Sequence, residues 1–268
     1  MKKMIVEVSN LSKTYRIIKR KEGILGILKY LLKPEYEEKQ AVRDISFSIN
    51  EGECVAFLGA NGAGKSTTIK MLTGIMKPTS GNIKIFGKKP FEDRIENARN
   101  IGVIFGQKTQ LWWDIPIIET FRLLKEIYEI PNNVYKENMQ QFKKILQLDS
   151  FFDLPARKLS LGQRVRADMA AALIHDPPIL FLDEPTIGLD VAVKQKVYEF
   201  LRYINLEKRT TILLTSHDLN DLESLCQRLI IIEQGKMLFD DKIEKIYECY
   251  PDEETLEDII IDLFNRRL

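Results

Sequence analysis

The clearest chemistry in the sequence lies in a glycine-rich run, Gly59-Ala60-Asn61-Gly62-Ala63-Gly64-Lys65-Ser66. The run fits the pattern G-x-x-x-x-G-K-[ST] in full, directly after the apolar residues 54–58 and at the start of a helical spacing. Its glycines let backbone N–H groups turn onto phosphate oxygens, and the helix N-terminus adds partial positive charge. Lys65 is expected to reach the β- and γ-phosphates and Ser66 to offer its hydroxyl to Mg²⁺. The alternative is a glycine-rich turn that occurs in this strand–loop–helix context by chance.

A pair of acids follows a second apolar run. Residues 179–182 are apolar, and Asp183 and Glu184 come directly after them. Ligands of α/β proteins bind at the carboxyl ends of the strands, so the pair is expected at a ligand site. Asp183 suits Mg²⁺, directly or through water, and Glu184 is placed to polarise an attacking water. Strand-end acids are common, and the interpretation of this pair depends on the phosphate loop.

A third motif, Leu159-Ser160-Leu161-Gly162-Gln163, lies 20 residues before Asp183 and resembles the LSGGQ signature of ATP-binding-cassette (ABC) ATPases. Further marks of that family occur in order, and the resemblance covers residues 4 to about 240. The marks are Tyr15 as the aromatic that stacks on adenine, Gln107 as the Q-loop glutamine, Ile187-Gly188-Leu189-Asp190 as the D-loop and His217 as the switch histidine.

The resemblance implies a set of roles for these residues, with ATP and Mg²⁺ as cofactors. The catalytic residues are then Lys65, Gln107, Glu184 and His217, and the Mg²⁺ ligands are Ser66, Gln107 and Asp183. The nucleotide contacts are Tyr15, Gly59, Ala60, Asn61, Gly62, Ala63, Gly64, Lys65, Ser66, Thr67, Ser160, Gly162, Gln163 and Asp190. A single cassette holds half of each site, so residues 159–163 and Asp190 are expected to complete the site of a second copy.

Some of these positions have a second interpretation. Tyr15 follows a predicted strand and is either the stacking aromatic or a core aromatic. Gln107 is either the Q-loop residue or a strand cap, and His217 is either the switch residue or a satisfied core histidine. One position departs from the family, because Leu161 stands where the signature usually has glycine. A leucine there resembles the cassettes that serve type-2 exporters.

The elements that must position these residues follow from the periodicity of the chain. Alternating or short apolar runs predict strands, and helical spacing predicts the segments between them. The predicted strands are 4–8, 41–49, 54–58, 83–86, 101–105, 179–182, 211–214 and 229–232. The predicted helical segments from residue 117 on are 117–148, with an interruption at 131–133, then 165–174, 191–206 and 219–226. This order predicts an α/β fold, a P-loop NTPase core with an antiparallel β-region and an inserted helical subdomain.

The predicted domain is residues 1–239, with the helical subdomain at about 108–175. Residues 16–39 form an insertion with an apolar face (Ile24, Ile27, Leu28 and Leu31) and flanking bases. It lies either on a membrane surface or on the protein's own core. Residues 240–268 carry ten acids against four bases and predict an acidic helical tail. Trp112 and Trp113 either pack under the helical subdomain or contact a partner.

Composition excludes several classes of protein. Forty Lys and Arg against 39 Asp and Glu give a net charge of +1, so no nucleic-acid partner is expected. No run approaches the roughly 18 apolar residues of a membrane span, and the N-terminus does not resemble a signal peptide. Three cysteines without CxxC pairing indicate reduced thiols rather than a disulfide or metal site, and two histidines exclude a multi-histidine metal centre.

These observations together predict the ATP-binding and ATP-hydrolysing subunit of an ABC transporter. It would dimerise around two ATP and drive a separate integral membrane subunit at the cytoplasmic face of the cell membrane, with export favoured. The competing class is a soluble cassette ATPase without a transport role, although the long coiled coils of repair types and the paired cassettes of translation factors do not occur in this chain. A nucleotide-dependent scaffold without turnover is disfavoured by Glu184 and His217.

Overall fold

The computed structural model describes residues 3–18, 36–106, 108–216, 219–251 and 255–265. Gln107, His217 and the apolar face predicted for the insertion lie outside these residues. The strands are β1 (Met4–Ile18), β2 (Tyr36–Asn50), β3 (Cys54–Leu58), β4 (Ser80–Ile85), β5 (Ile101–Phe105), β6 (Ile179–Asp183), β7 (Thr211–Thr215), β8 (Arg228–Glu233) and β9 (Lys236–Lys242). The α-helices are α1 (Lys65–Leu72), α2 (Arg94–Asn100), α3 (Ile117–Ile127), α4 (Asn132–Leu146), α5 (Leu161–Leu173), α6 (Val191–Glu207), α7 (Leu219–Leu225), α8 (Ile243–Cys249) and α9 (Leu256–Asn265).

Two sheets organise the described strands. An antiparallel sheet has the order β2-β1-β4, and a six-stranded sheet has the order β5-β6-β7-β3-β8-β9. The six-stranded sheet is parallel except for β9, which pairs antiparallel to β8. Its central strands read as continuous apolar runs because helices or the other sheet cover both faces, and every residue of Cys54–Leu58 is buried. The predicted α/β core with an antiparallel β-region is therefore confirmed.

A helical block separates β5 from β6. It contains α3, α4, two 3₁₀ turns and α5, and α5 packs against β5, α3 and α4. The rings of Phe142 on α4 and Phe200 on α6 meet edge to face with centroids 5.5 Å apart, which ties the block to the core. The inserted helical subdomain of the predicted fold class is confirmed. Helix α5 begins four residues before the predicted 165, because Ser160 caps it.

The C-terminal residues pack on the rest of the protein. Strand β9 runs across the predicted boundary at 239, and α9 contacts α7 and α8. Ile261 of α9 is exposed, whereas four apolar residues of this helix at helical spacing are buried: Leu256, Ile259, Ile260 and Leu263. The longest helix among the described residues, α6, has 17 residues. Within those residues, no helix combines the length and the apolar character that crossing a membrane requires.

A half-buried histidine lies just after α5. The His175 ring stacks on Tyr128 with centroids 4.0 Å apart, and its Nε2 lies 3.1 Å from the carbonyl oxygen of Ile101. The carbonyl can only accept, so Nε2 carries the proton. The buried Nδ1 has no hydrogen-bond partner among the described atoms. Burial disfavours the charged ring and lowers the pKa of His175 to about 4.

This histidine predicts a loss of stability in acid. Between pH 6.5 and about 4 the unfolded chain protonates His175 whereas the folded chain does not, so stability falls as the pH falls through this window. Relative to His175→Gln, which can still donate to Ile101, the wild type should lose about 2 kcal/mol of unfolding free energy between neutral pH and pH 5. Urea unfolding of both proteins at each pH measures this difference.

The comparison with the variant is needed because the buried Asp168 acts in the opposite direction. Burial raises the pKa of Asp168 from 3.8 to about 6, so that side chain favours the folded state increasingly as the pH falls from 6 to 4. Both proteins carry Asp168, and its contribution cancels in the difference. Equal acid sensitivity of the two proteins would contradict the assignment to His175.

Candidate active site

The phosphate loop joins β3 to α1, and its conformation requires glycine at two positions. A Cβ on Gly59 would lie 2.2 Å from the carbonyl oxygen of Ile232, and a Cβ on Gly64 would lie 2.4 Å from that of Ala41. Gly64 also has a φ of +111°, which side chains disfavour. It occupies the N-cap of α1, and no side chain caps the helix there. The first N–H groups of α1 are therefore left for an anion, as the sequence predicts.

The side chain of Lys65 folds back onto the phosphate loop. It is buried, and its Nζ donates to the carbonyl oxygens of Gly59 at 2.6 Å and Ala60 at 3.3 Å. Burial lowers the pKa of Lys65, while the nearby carboxylates of Glu184 and Asp183 act in the opposite direction. The ammonium group thus contacts the loop and lies close enough to interact electrostatically with Glu184, the predicted catalytic acid, and Asp183, the predicted Mg²⁺ ligand.

A cavity of about 260 Å³ opens beside the loop. It is lined by Tyr15, Lys39, Ala41, Asn61, Gly62, Gly64, Lys65, Ser66, Thr67 and Glu184. The Tyr15 hydroxyl lies 3.3 Å from Thr67 Oγ1 and donates to the sulfur of Met76, which holds the ring at this cavity. Tyr15, the loop and Glu184 thus share one cavity, although they come from distant parts of the sequence.

Two residues of this cavity were missed by the sequence reasoning. Lys39 pairs with Tyr15 across β1 and β2, and Ala41 lies against Gly64. Both stand on β2, whose first residues, 36–39, fall within the predicted insertion at 16–39, and the pairing register that brings them here leaves no motif in the sequence. The alternation of residues 41–49 predicted the strand but not its partner residues.

The two acids occupy the end of β6, where β7 supports them. Thr215 donates its hydroxyl to Asp183 Oδ1 at 3.0 Å, and the Glu184 N–H donates to Thr215 Oγ1 at 3.0 Å. Glu184 has a φ of +54°, a conformation that is rare outside glycine and that concentrates at functional sites. Sequence reasoning gave no role to Thr215; its signal was a polar residue at the carboxyl end of a buried strand.

The arrangement suits a divalent cation with oxygen ligands. Ser66, Asp183 and Glu184 line a second cavity of about 710 Å³. Their hydroxyl and carboxylate oxygens are the donors that Mg²⁺ prefers, with phosphate oxygens of a nucleotide supplying further ligands. Ser66 and Asp183 therefore fit the predicted metal role. Gln107, the third predicted ligand, lies outside the described residues.

Gly106 allows the chain to pass close to Glu184. Its N–H donates to the Asp183 carbonyl at 2.8 Å, and an added Cβ would lie 2.1 Å from the carbonyl oxygen of Glu184. Gly106→Ala must therefore displace the backbone of Glu184. Turnover should fall by about 10²-fold, because small misplacements of a catalytic group have effects of that size.

ATP affinity should change little in Gly106→Ala, since the phosphate loop is untouched. Phosphate release and nucleotide titration measure the two properties. Gly102→Ala on the same strand is the matched control, because its Cβ would lie 2.6 Å from the carbonyl oxygen of Ala172, away from Glu184. Equal losses of turnover in both variants would point to a general packing defect.

The signature motif lies at the start of α5. Ser160 is exposed and forms a capping box with Gln163. The Gln163 N–H donates to Ser160 Oγ at 3.2 Å, and the Ser160 N–H donates to Gln163 Oε1 at 2.9 Å.

The signature also contacts the D-loop and the helix that follows it. Leu161 lies 3.2 Å from the Cβ position of Gly188, and Gly162 faces Val193. Asp190 caps α6 by accepting from the Val193 N–H at 3.0 Å. The signature and the D-loop therefore pack on each other.

Comparison with known proteins identifies the family. Residues 42–187 match the family described as ABC transporter. The chain belongs to this family. It is 32% identical over 215 residues to the ABC transporter ATP-binding protein NatA of Bacillus subtilis (strain 168), covering 80% of the chain and 87% of that relative. The resemblance to ABC ATP-binding subunits that the motifs predicted is therefore confirmed.

Other relatives are named as export proteins. The chain is 34% identical over 242 residues to the Nod factor export ATP-binding protein I of Cupriavidus metallidurans, covering 86% of the chain and 79% of that relative. It is 36% identical over 203 residues to the protein of the same name from Burkholderia pseudomallei (strain K96243), covering 76% of the chain. The chain spans 66% of the length of that relative.

Solved structures agree with the predicted fold class. An ATP-binding subunit of an ABC transporter superposes with a TM-score of 0.80, covering 97% of the chain and 99% of that structure at 23% identity, which shows the fold. A dimeric ATP-binding cassette in a post-hydrolysis state, bound to ADP and Pi, superposes with a TM-score of 0.72 at 27% identity, covering 89% of the chain and 99% of that structure. The chain has the fold of an ABC ATPase cassette.

Proposed function

We propose that this protein hydrolyses ATP as one of two cassettes that close around two ATP molecules and drive a separate membrane subunit. The observation that carries the proposal is the sharing of one cavity by the phosphate loop, Tyr15 and Glu184. A phosphate cradle and a carboxylate in one cavity are the minimum that hydrolysis of a nucleotide requires.

The proposed chemistry is mainly positioning and electrostatic. Lys65 and the N–H groups of α1 bind the β- and γ-phosphates, and Glu184 orients and polarises the attacking water. Thr215 fixes the backbone N–H of Glu184 and the carboxylate of Asp183. Mg²⁺, held by Ser66 and Asp183, would supply charge neutralisation at the phosphate oxygens. Gln107 and His217 retain their proposed roles at the metal and at the water.

The second copy is proposed to supply the rest of each site. The signature residues Ser160, Gly162 and Gln163 stand on α5 and Asp190 on α6, whereas the phosphate loop joins β3 to α1. Ser160 is exposed at the helix N-terminus, where backbone N–H groups and a hydroxyl suit the γ-phosphate of a nucleotide held by the other chain. The dimeric arrangement of the related ADP- and Pi-bound cassette supports this pairing.

Transport, and export in particular, rests on the relatives and on the surface. Two of the relatives above are named for Nod factor export. Trp112 and Trp113 are 41% and 48% exposed, and exposed tryptophans are typical of protein interfaces. We place the protein at the cytoplasmic face of the cell membrane, bound to an integral membrane subunit. The insertion at 16–39 is proposed to help this attachment.

Purification of the tagged protein from membranes tests the proposal. We expect an integral membrane protein with about six predicted spans to co-purify and to stimulate ATP hydrolysis. The competing function, a soluble cassette ATPase without a transport role, predicts ATP hydrolysis without any co-purifying membrane protein.

A further inference from the structure

A buried carboxylate connects the signature helix to the loop that carries both tryptophans. Asp168 on α5 is 6% exposed, and its Oδ1 accepts from the Thr109 hydroxyl at 2.9 Å and from the Gln110 N–H at 3.0 Å. The carbonyl of Asp168 also accepts from Gln110 Nε2 at 3.0 Å. Three donors of one short segment thus converge on a single residue of α5.

Further contacts fix the same loop to the same part of the protein. The guanidinium of Arg164, one turn before Asp168 on α5, stacks over the Trp113 ring at 4.9 Å. The carbonyl of Trp113 accepts from the Arg157 N–H at 3.1 Å, and Arg157 also pairs with Asp114 at 2.7 Å. Residues 109–114, named here the tryptophan loop, are therefore held at both ends by the segment that carries the signature.

The connection is short and stiff. Ser160 caps the helix that contains Asp168, and eight residues of α-helix span about 12 Å. A displacement of Ser160 must therefore carry Asp168 and Arg164 with it. Packing alone does not explain a carboxylate here. Burial disfavours its charged form and raises the pKa of Asp168 to about 6, and an apolar side chain would avoid this desolvation free energy. Its use is as an acceptor for the tryptophan loop.

We propose that Asp168 is a positioning residue that makes the tryptophan loop and the signature helix move as one body. Contact of Ser160 with the nucleotide of a second copy then reorients Trp112 and Trp113 on the surface. The proposal rests on the dimer described under the proposed function. It assigns to Asp168 the transmission of nucleotide occupancy to the exposed side chains of Trp112 and Trp113.

Tryptophan emission reports on this loop selectively, because Trp112 and Trp113 are the two tryptophans of the chain. The full-length protein carries Glu184→Gln so that bound ATP persists. Addition of Mg²⁺ and ATP should change the emission in this background. Adding Asp168→Ala should abolish the change, whereas ATP affinity by calorimetry and ATP-dependent dimerisation by light scattering are retained.

Asp168→Asn is the matched control. Both donors of the tryptophan loop reach Oδ1, and an asparagine presents an oxygen at the same place, so the ATP-dependent emission change should be rescued. If Asp168 had a merely structural role, its substitution would lower the melting temperature, and Asp168→Ala and Asp168→Asn would show the same ATP-dependent emission change. If Asp168→Ala fails to fold, Thr109→Val removes one donor from the loop side and should reduce the emission change.

The outcomes separate the two proposals. The decisive variant is Asp168→Ala, or Thr109→Val if Asp168→Ala does not fold. If this variant forms the ATP-dependent dimer and still shows the full emission change, the role of Asp168 is overturned and the proposed function stands. An ATP-dependent dimer without any emission change in the Glu184→Gln background overturns the role of Asp168 as well. Absence of an ATP-dependent dimer overturns the sandwich, and with it the inference that depends on it.

Discussion

Glu184→Gln should bind ATP normally and lose turnover by about 10²- to 10⁴-fold, the contribution typical of a positioned general base. The amide cannot polarise the attacking water, whereas Lys65 and the glycine loop still hold the phosphates. Because ATP then persists, the two chains should remain closed around it. Phosphate release by the complete membrane complex measures the first effect, and light scattering of the isolated protein with ATP measures the second.

A matched control makes the same chemical change elsewhere. Glu207→Gln alters an exposed carboxylate at the end of α6 and should leave both properties unchanged. Undiminished turnover of Glu184→Gln in the complete complex would remove Glu184 from the catalytic step. ATP-independent dimerisation would instead show that association does not depend on trapped nucleotide.

The second large effect is expected from Ser160→Arg. A long cation at this N-cap blocks approach to the nucleotide of the other chain and removes the serine that caps α5, so hydrolysis should fall by at least about 10²-fold. ATP binding to the monomer should remain, because Ser160 is not part of the phosphate loop. Nucleotide titration and phosphate release distinguish these two properties.

Mixing two inactive variants gives the sharper test. Lys65→Ala disables the phosphate loop of its own chain, and Ser160→Arg disables the site of the partner. A heterodimer of the two contains one composite site with both Lys65 and Ser160 intact, so partial activity should return. Absence of activity in proven heterodimers would refute the shared site. Ser160→Ala separates the loss of the helix cap from the steric block.

The sequence predicted local structure where one contiguous segment determines the backbone conformation. The phosphate loop was predicted correctly in place and shape because its glycines, its lysine and the following helix lie within a few residues of one another. The central strands were predicted for the same reason, since burial on both faces leaves an unbroken apolar run. The acidic pair at 183 and 184 was predicted at the end of a strand because it comes directly after such a run.

Strand pairing and close packing were not visible in the sequence. Thr215 supports Glu184 across 31 residues, and Asp168 accepts from Gln110 across 58 residues, through contacts that leave no periodic signal. The short strand β9 and helix α2 were missed as well. Their residues carry too few apolar positions to establish a period.

The sequence by itself determined the family of this protein, because a phosphate loop, two acids and a signature together predict an ABC ATPase, and it predicted the chemistry proposed for the site. Only the tertiary structure decided which residues support that chemistry. Lys39 lies at the cavity beside the phosphate loop, Gly106 makes room for Glu184, and Asp168 ties the tryptophan loop to the signature helix. The physical reason is that motifs depend on neighbours along the chain, whereas these three contacts depend on strand register and side-chain packing between distant segments.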